Sequence, residues 1–249
     1  MFQGSVQIRD AYRDSGVAGR YVEERFVEPL GALLHARQVA YLTRVLRGLE
    51  PQRVLEIAPG PARLTADVAP FLGPHPVLID ASAQMLAEAR RRLGAEFSSR
   101  CEFVHGDAFS LPFASTFDCV YTFRLIRHFE QEDRRRLYAQ IARVLRPGGS
   151  LVFDAVNEEV SAPVRRAAHA EAHRHYDALF QREALERELE DAGFRVTDLH
   201  GVQRRYSLLS GLQVLVAPRS RLLARTAMEV VDRMGGGPPL EWIVRCVRA

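Results

Sequence analysis

The sequence predicts an α/β fold built on a doubly wound, mostly parallel sheet of seven strands, and three observations point to it. Short apolar runs alternate with amphipathic stretches between Arg53 and Val156, the rhythm of a parallel sheet covered on both faces. Three successive runs deliver an acid to their ends, Glu56, Asp80 and Asp107, spaced 24 and 27 residues apart, about one strand–helix unit each. The stretch "RPGG", Arg146 to Gly149, separates a helical pattern from the next apolar run, as proline and paired glycines suit such a reversal.

The elements follow in order. Residues 20–49 place Val22, Phe26, Leu30, Leu33 and Leu34, then Val39, Leu42, Val45 and Leu46 at helical spacing, which predicts a helical lead-in. "RVLEIA" reads as the first strand, followed by a helix from about Ala62, and "PVLID" as the second. In "SAQMLAEARRRL", Ser82 is placed to cap a helix whose Met85, Leu86, Ala89 and Leu93 share a face. "CEFVHGD" and "FDCVYTF" are the third and fourth strands, "QEDRRRLYAQIARVL" a helix and "GSLVFDAV" the fifth strand. Beyond Val156 the pattern predicts a helix over "APVRRAAHAEAHRHYDALF", a second over "REALERELEDAGF" with Gly193 at its C-cap, and the strand "RVTDLHGV". An apolar helical insert then runs from Tyr206 to Met234, and "GGGPP" leads into a last strand, "LEWIVRCVR". The reading is one domain over 1–249, with a lead-in at 1–49, a cofactor-binding core at 50–156 and a substrate cap with the last strands at 157–249.

Composition removes several chemistries. With 47% hydrophobic and 26% charged residues among 249, the chain is a folded globular protein rather than a disordered or fibrous one. All 34 Lys+Arg residues are arginine, which excludes Schiff-base lysines and Walker-type phosphate lysines. The net charge of +3 is small and the arginines are interleaved with acids, unlike the clustered footprint of a nucleic-acid binder. Cys101, Cys119 and Cys246 form no C-x-x-C pair and read as small core residues. The first residues lack the layout of a signal peptide and no apolar run is long enough to span a bilayer, so a cytoplasmic location is expected.

In a doubly wound sheet, ligands bind outside the carboxyl ends of the strands where the strand order reverses. Asp80 is placed to accept hydrogen bonds from two ribose hydroxyls, as the acid of dinucleotide folds does. Asp107 can accept from an adenine amino group while Phe109 covers the ring, and Glu56 can face a cationic group. "APGPAR" puts proline where a pyrophosphate site wants N–H donors, which disfavours a nicotinamide dinucleotide and favours a cationic cofactor without phosphate.

The series "VLEIAPGPARLT", "VLIDAS", "FVHGDAFSLPF", "FDCVYTFRLIRHF" and "VLRPGGSLVF" resembles the class I S-adenosylmethionine-dependent methyltransferases over residues 50–156, with looser similarity beyond. The resemblance implies a Rossmann-like sheet whose last strand is antiparallel, with N-terminal helices and helical inserts after the fifth and sixth strands. It implies S-adenosyl-L-methionine as cofactor, held by Glu56, Ala58, Gly60, Asp80, Ala81, Gly106, Asp107, Ala108, Phe109 and Thr122. The family loop is commonly acid-x-Gly-x-Gly-x-Gly, and here Ala58 and Ala62 stand at the first and third glycines; alanine is expected to hold helical or extended angles rather than positive φ.

Methyl displacement depends mainly on holding the acceptor aligned. After the fourth strand stands Thr122-Phe123-Arg124-Leu125 in place of the D/N-P-P-Y type motif of nucleic-acid amino-methyltransferases, and there is no Pro-Cys nucleophile. The expected acceptor is a small molecule, hydrophobic or aromatic in one reading, with no nucleic-acid partner and a monomeric or homodimeric protein. His128 reads either as a general base or as a packing residue at the start of the next helix. Tyr21, Arg124, His173 and Tyr176 are the expected acceptor contacts. His169 and His173 share a helix spacing, but no third ligand converges with them, so no metal site is expected. "YSLLSGLQVLVAP", uncharged from Tyr206 to Pro218 and flanked by Arg204, Arg205, Arg219 and Arg221, is read as a core helix, a dimer contact, or an interfacial helix that walls the acceptor site and touches anionic lipid weakly. A cofactor-binding protein of this fold that transfers no methyl group is the alternative function.

Overall fold

Four short apolar segments, Val54–Ile57 (β1), Val77–Asp80 (β2), Glu102–His105 (β3) and Phe117–Thr122 (β4), lie parallel in the order β3-β2-β1-β4. The structure is a computed structural model that describes residues 28–114, 116–167 and 177–249. Leu145–Asn157 (β5) continues the parallel run beside β4. Pro239–Arg248 (β8) inserts antiparallel between β5 and Phe194–Arg204 (β7). The seven expected strands are joined by an eighth, the two-residue Leu179–Phe180 (β6), parallel to the end of β5. A helix was expected through Phe180; backbone pairing of Leu179 and Phe180 with Val156 and Asn157 prevails over the helical spacing of the side chains.

The central strands are buried on both faces, and their alternation sorts side chains into two cores. On one face Val120, Leu151, Phe153 and Val244 pack against Leu137, Tyr138 and Ile141 of Gln131–Val144 (α4) and against Leu185 and Leu189 of Arg182–Asp191 (α6). On the other, Cys119, Tyr121, Val152 and Ile243 meet Tyr41, Leu42, Val45 and Leu46 of Pro29–Leu49 (α1) and Leu64 and Val68 of Arg63–Val68 (α2). Cys119 and Cys246 are fully buried core residues, and burial pushes the Cys119 thiol up to about 12.

Local chemistry sets the boundaries. Pro29 opens α1 at the position where its missing N–H costs nothing. The Ser82 hydroxyl accepts from Met85 N–H at 3.3 Å and starts Ala83–Ser98 (α3), which kinks at Gly94, where φ is 73°. "RPGG" is an excursion inside the β4–β5 pairing rather than a turn ahead of β5: Phe117 pairs with Leu145 and Cys119 already with Ser150. Gly193 falls one residue beyond the Ala192 cap of α6, at φ 81°. After Glu158–Ala167 (α5), the late insert is two helices, Tyr206–Leu215 (α7) and Arg221–Arg233 (α8), with Pro218 in the turn between them. Their inner residues Leu209 and Met228 close on Leu33 of α1.

Candidate active site

The strand order reverses between β1 and β4, and the loops leaving β1, β2, β3 and β4 surround one pocket at their carboxyl ends. It is lined by Glu56, Ala58 and Gly60 from the first loop, Asp80 and Ala81 from the second, Gly106, Asp107, Ala108 and Phe109 from the third, and Arg124 and His128 from the fourth. Of the expected cofactor residues Thr122 is not in the lining. It is fully buried and its hydroxyl donates to the Ile57 carbonyl at 2.7 Å, tying β4 to β1 behind the pocket. Tyr21, His173 and Tyr176, with His169 and His175, lie outside the described residues. Among the described residues, no three His, Cys, Asp or Glu side chains are arranged to hold a metal ion.

The first loop corrects the expectation for alanine. Ala58 and Ala62 both stand at φ 54° and Gly60 at φ 55°, so the left-handed backbone is kept without two of its glycines, at roughly 1 kcal/mol for each alanine. The Ala58 N–H donates to the Ile79 carbonyl at 2.8 Å. The Gly60 N–H is spent on Asp80 Oδ2 at 3.0 Å, and Ser82 N–H donates to Asp80 Oδ1 at 2.8 Å. With Pro59 and Pro61 lacking donors, this loop has little to offer a pyrophosphate. Each Asp80 oxygen keeps further acceptor capacity. Gly106 is required by close approach: a Cβ there would stand 2.9 Å from Ile79 Cδ1.

Glu56 lies within β1 rather than at its tip and is 5% exposed. Its Oε2 accepts from the Tyr121 hydroxyl at 2.8 Å and from Thr65 Oγ1. Burial is the largest influence on it and outweighs those hydrogen bonds and the charge of Arg63, pushing the carboxyl up to about 7. Arg63, in the first turn of α2 and also on the pocket, donates to Gln38 Oε1 at 2.8 Å and contacts His35. Sequence reasoning missed Arg63; its one signal is a cation placed seven residues after Glu56, where the loop turns into the helix. Met85, Phe123, Leu125 and Phe129 also line the pocket, and none carries a sequence signal distinct from core packing.

At the β4 end, His128 Nδ1 and Asp177 Oδ1 stand 3.0 Å apart. Burial raises the Asp177 carboxyl, but the hydrogen bond from His128 and the charges of Arg127 and Arg124 prevail and hold it well below the usual carboxylate range. Behind His128, buried Arg127 reaches Asp154 and Glu241 at 3.0 Å each and Asp177 at 3.4 Å. These carboxylates, Glu241 foremost, overcome the burial of the guanidinium and keep it charged. Arg165 closes the other side of Asp177 at 3.1 Å. Arg124 sits at φ 62° with its N–H on Asp154 Oδ1 at 2.5 Å, a strained backbone of the kind found at working sites. No residue of α7 or α8 lines the pocket, against the expectation that this insert walls it, because their inner faces are taken by α1.

Comparison with known proteins converges on one family. Residues 54–149 match the family model of a methyltransferase domain. The chain is 37% identical to a demethylmenaquinone methyltransferase of Clavibacter sepedonicus over 112 residues, 45% of this chain and 44% of that protein. It is 31% identical to a malonyl-[acyl-carrier protein] O-methyltransferase of Methylococcus capsulatus over 185 residues, 72% of this chain and 66% of that one. The chain spans about half the length of the curated relatives it matches first. Its fold superposes on magnesium protoporphyrin IX methyltransferase from Synechocystis, solved with bound SAH, with a TM-score of 0.67 and 14% identity over 99% of this chain and 100% of that one. With the strand order, the loop geometry and these matches in agreement, the chain belongs to the class I S-adenosylmethionine-dependent methyltransferase family.

Proposed function

We propose that the protein binds S-adenosyl-L-methionine in this pocket and transfers its methyl group to a small, hydrophobic or aromatic acceptor. The carrying observation is the set of acids from three successive strands around one pocket whose first loop is poor in phosphate donors. The residues fit the cofactor's parts. Asp80 keeps acceptor capacity for ribose hydroxyls after binding Gly60 and Ser82. Asp107 and Phe109, whose N–H donates to Asp107 Oδ1 at 3.0 Å, serve the adenine end. Glu56 and Arg63 offer opposite charges to a zwitterionic amino-acid end.

When bound, the cofactor supplies an electrophilic sulfonium methyl for in-line displacement. The chain's own contribution is alignment and management of the acceptor's proton. His128, oriented by Asp177, is the group we assign to receive that proton. Phe123, Leu125 and Phe129 give the acceptor an apolar wall, and the relatives named for demethylmenaquinone and magnesium protoporphyrin support a lipophilic or planar acceptor.

Titration calorimetry with S-adenosylhomocysteine tests the site: wild type should bind and Asp80→Ala should lose binding. Absence of heat with folded wild-type protein refutes the reading. A mass-spectrometric screen of metabolites incubated with protein and cofactor then seeks the methylated product.

A further inference from the structure

Of the large hydrophobic side chains that stand exposed among the described residues, all but Val164 belong to α7, α8 and the residue after them. Val214 and Leu215 end α7, each 66% exposed, and Leu222 and Leu223 begin α8 at 73% and 64%. The turn joining them, 216–220, brings all four to one tip. This apolarity is not left over from a poor fit, because Leu209, Ala224 and Met228 on the inner faces are buried and Leu209 and Met228 pack on Leu33.

The charges on these helices are sorted as well. The acids of α8 turn inward: Glu229 and Asp232 bind Arg37 of α1 at 2.8 and 2.6 Å. The helix α7 carries no charge at all. Arg205 and Arg219 bond only neutral carbonyls, of Gly235 and Leu215, at 2.7 Å each, so their charges stand uncancelled at opposite ends of α7. Arg221 is balanced by Glu28 at 2.6 Å. The outer surface therefore combines leucines and a valine with uncompensated positive charge. No helix among the described residues is long and apolar enough to cross a membrane.

We infer that the α7–α8 hairpin docks the protein, tip first, on an anionic lipid bilayer, with Val214, Leu215, Leu222 and Leu223 entering the interface and Arg219 meeting lipid phosphate. Exposed apolar side chains beside basic ones, on helices too short to span, are the pattern of interfacial binding, and charge complementarity selects the bilayer over a second copy of this face, which would set like charges together. The docking does not depend on the proposed reaction.

The test is sedimentation of the full chain with vesicles of phosphatidylcholine alone or with about 30% phosphatidylglycerol, an anionic fraction large enough for a clear surface potential. Wild type should pellet with the anionic vesicles at low salt and release at high salt. The variant L215S/L222S/L223S should bind at least about tenfold more weakly, and Arg219→Glu about fivefold or more, both with unchanged thermal melting because these side chains are exposed. If the triple variant melts early, Leu222→Gln alone, at the most exposed position, must still weaken binding. No pelleting with anionic vesicles, or equal pelleting by wild type and a folded triple variant, overturns the proposal. So does a wild-type dimer in light scattering that the triple variant dissociates without any vesicle binding, since the face is then a self-contact.

Discussion

His128 Nδ1 and Asp177 Oδ1 are 3.0 Å apart, at the edge of the pocket where β4 gives way to its loop. The pair joins two segments of the chain: a helical turn of three residues, Ile126–His128, and the stretch leading into β6, which Asp177 precedes by two residues. Backbone contact reinforces it, with Ala178 N–H donating to the Arg127 carbonyl at 2.6 Å. An imidazole fixed through one nitrogen by a carboxylate presents the other in a defined direction, the arrangement that general-base chemistry uses.

If Asp177 positions His128, Asp177→Asn should lower kcat by about 10- to 100-fold, with KM for the cofactor within about twofold, since orientation rather than binding is lost. His128→Gln should lower kcat at least as far. A comparable loss of cofactor affinity alongside kcat would show that Asp177 only holds the loop.

Glu56 gives a pH dependence to stability. Its carboxyl, ordinarily near 4.5, is pushed up to about 7 chiefly by burial. A group raised in the folded state contributes stability that is complete below 4.5 and is lost as pH rises through about 7, because the unfolded chain ionises it more readily. Glu56→Gln removes this penalty and should raise the unfolding free energy at pH 8 relative to pH 5, by up to about 3 kcal/mol. The same substitution should weaken S-adenosylhomocysteine binding, as the anion facing the ligand's amino group is gone. Urea titrations at the two pH values read the first effect and calorimetry the second. Equal stabilisation at both would mean that the carboxyl is not raised.

The strained loop makes a local prediction. Ala58→Gly should stabilise the protein by up to about 0.5 kcal/mol: relief of the left-handed alanine slightly exceeds the extra entropy of the unfolded glycine. Ala58→Val should destabilise it by about 2 kcal/mol, because a β-branched residue tolerates φ 54° far worse. Ala62 is the poorer test, since its methyl is fully buried and removing it leaves a gap. Thermal melts of the variants decide the matter, and destabilisation by Ala58→Gly would rule out strain at this position.

The parallel core was legible because two-faced burial writes itself as alternating apolar runs, and the convergence of Glu56, Asp80 and Asp107 on one pocket was legible because each lies at or near the carboxyl side of a successive parallel strand. The Ser82 cap was legible as a local hydrogen bond between residues close in sequence. What was hidden depends on contacts between distant residues. Nothing near Asp177 in the chain announces His128, which lies 49 positions earlier. Nothing in "VLEIAPGPARLT" says that its alanines adopt φ 54°, because the surrounding backbone imposes that angle against alanine's own preference. Leu179 and Phe180 have a composition suited to helix or strand, and only their partners on β5 choose.

Gly106 tests the adenine end without touching a charge. Its N–H donates to the Asp80 carbonyl at 3.0 Å, so the backbone here is drawn against β2, and a methyl group would stand 2.9 Å from Ile79 Cδ1 and 3.3 Å from Ile79 Cγ1. Both neighbours are side-chain atoms, so Ile79 can yield, though it is 1% exposed and packed in the core. Overpacking of this kind costs about 1–3 kcal/mol. If Ile79 yields toward the core, the cost falls on stability and affinity for S-adenosylhomocysteine is kept. If instead the Gly106–Phe109 loop moves outward, Asp107 and Phe109 leave their places, and affinity should fall by about tenfold for each 1.4 kcal/mol lost. Ile79 borders the pocket too, but at 1% exposure it is held by core contacts, so the loop is the freer of the two and the second outcome is favoured. Gly106→Ala should therefore lower affinity by at least about tenfold with a melting temperature close to wild type; a lowered melting temperature with intact affinity would place the strain in the core.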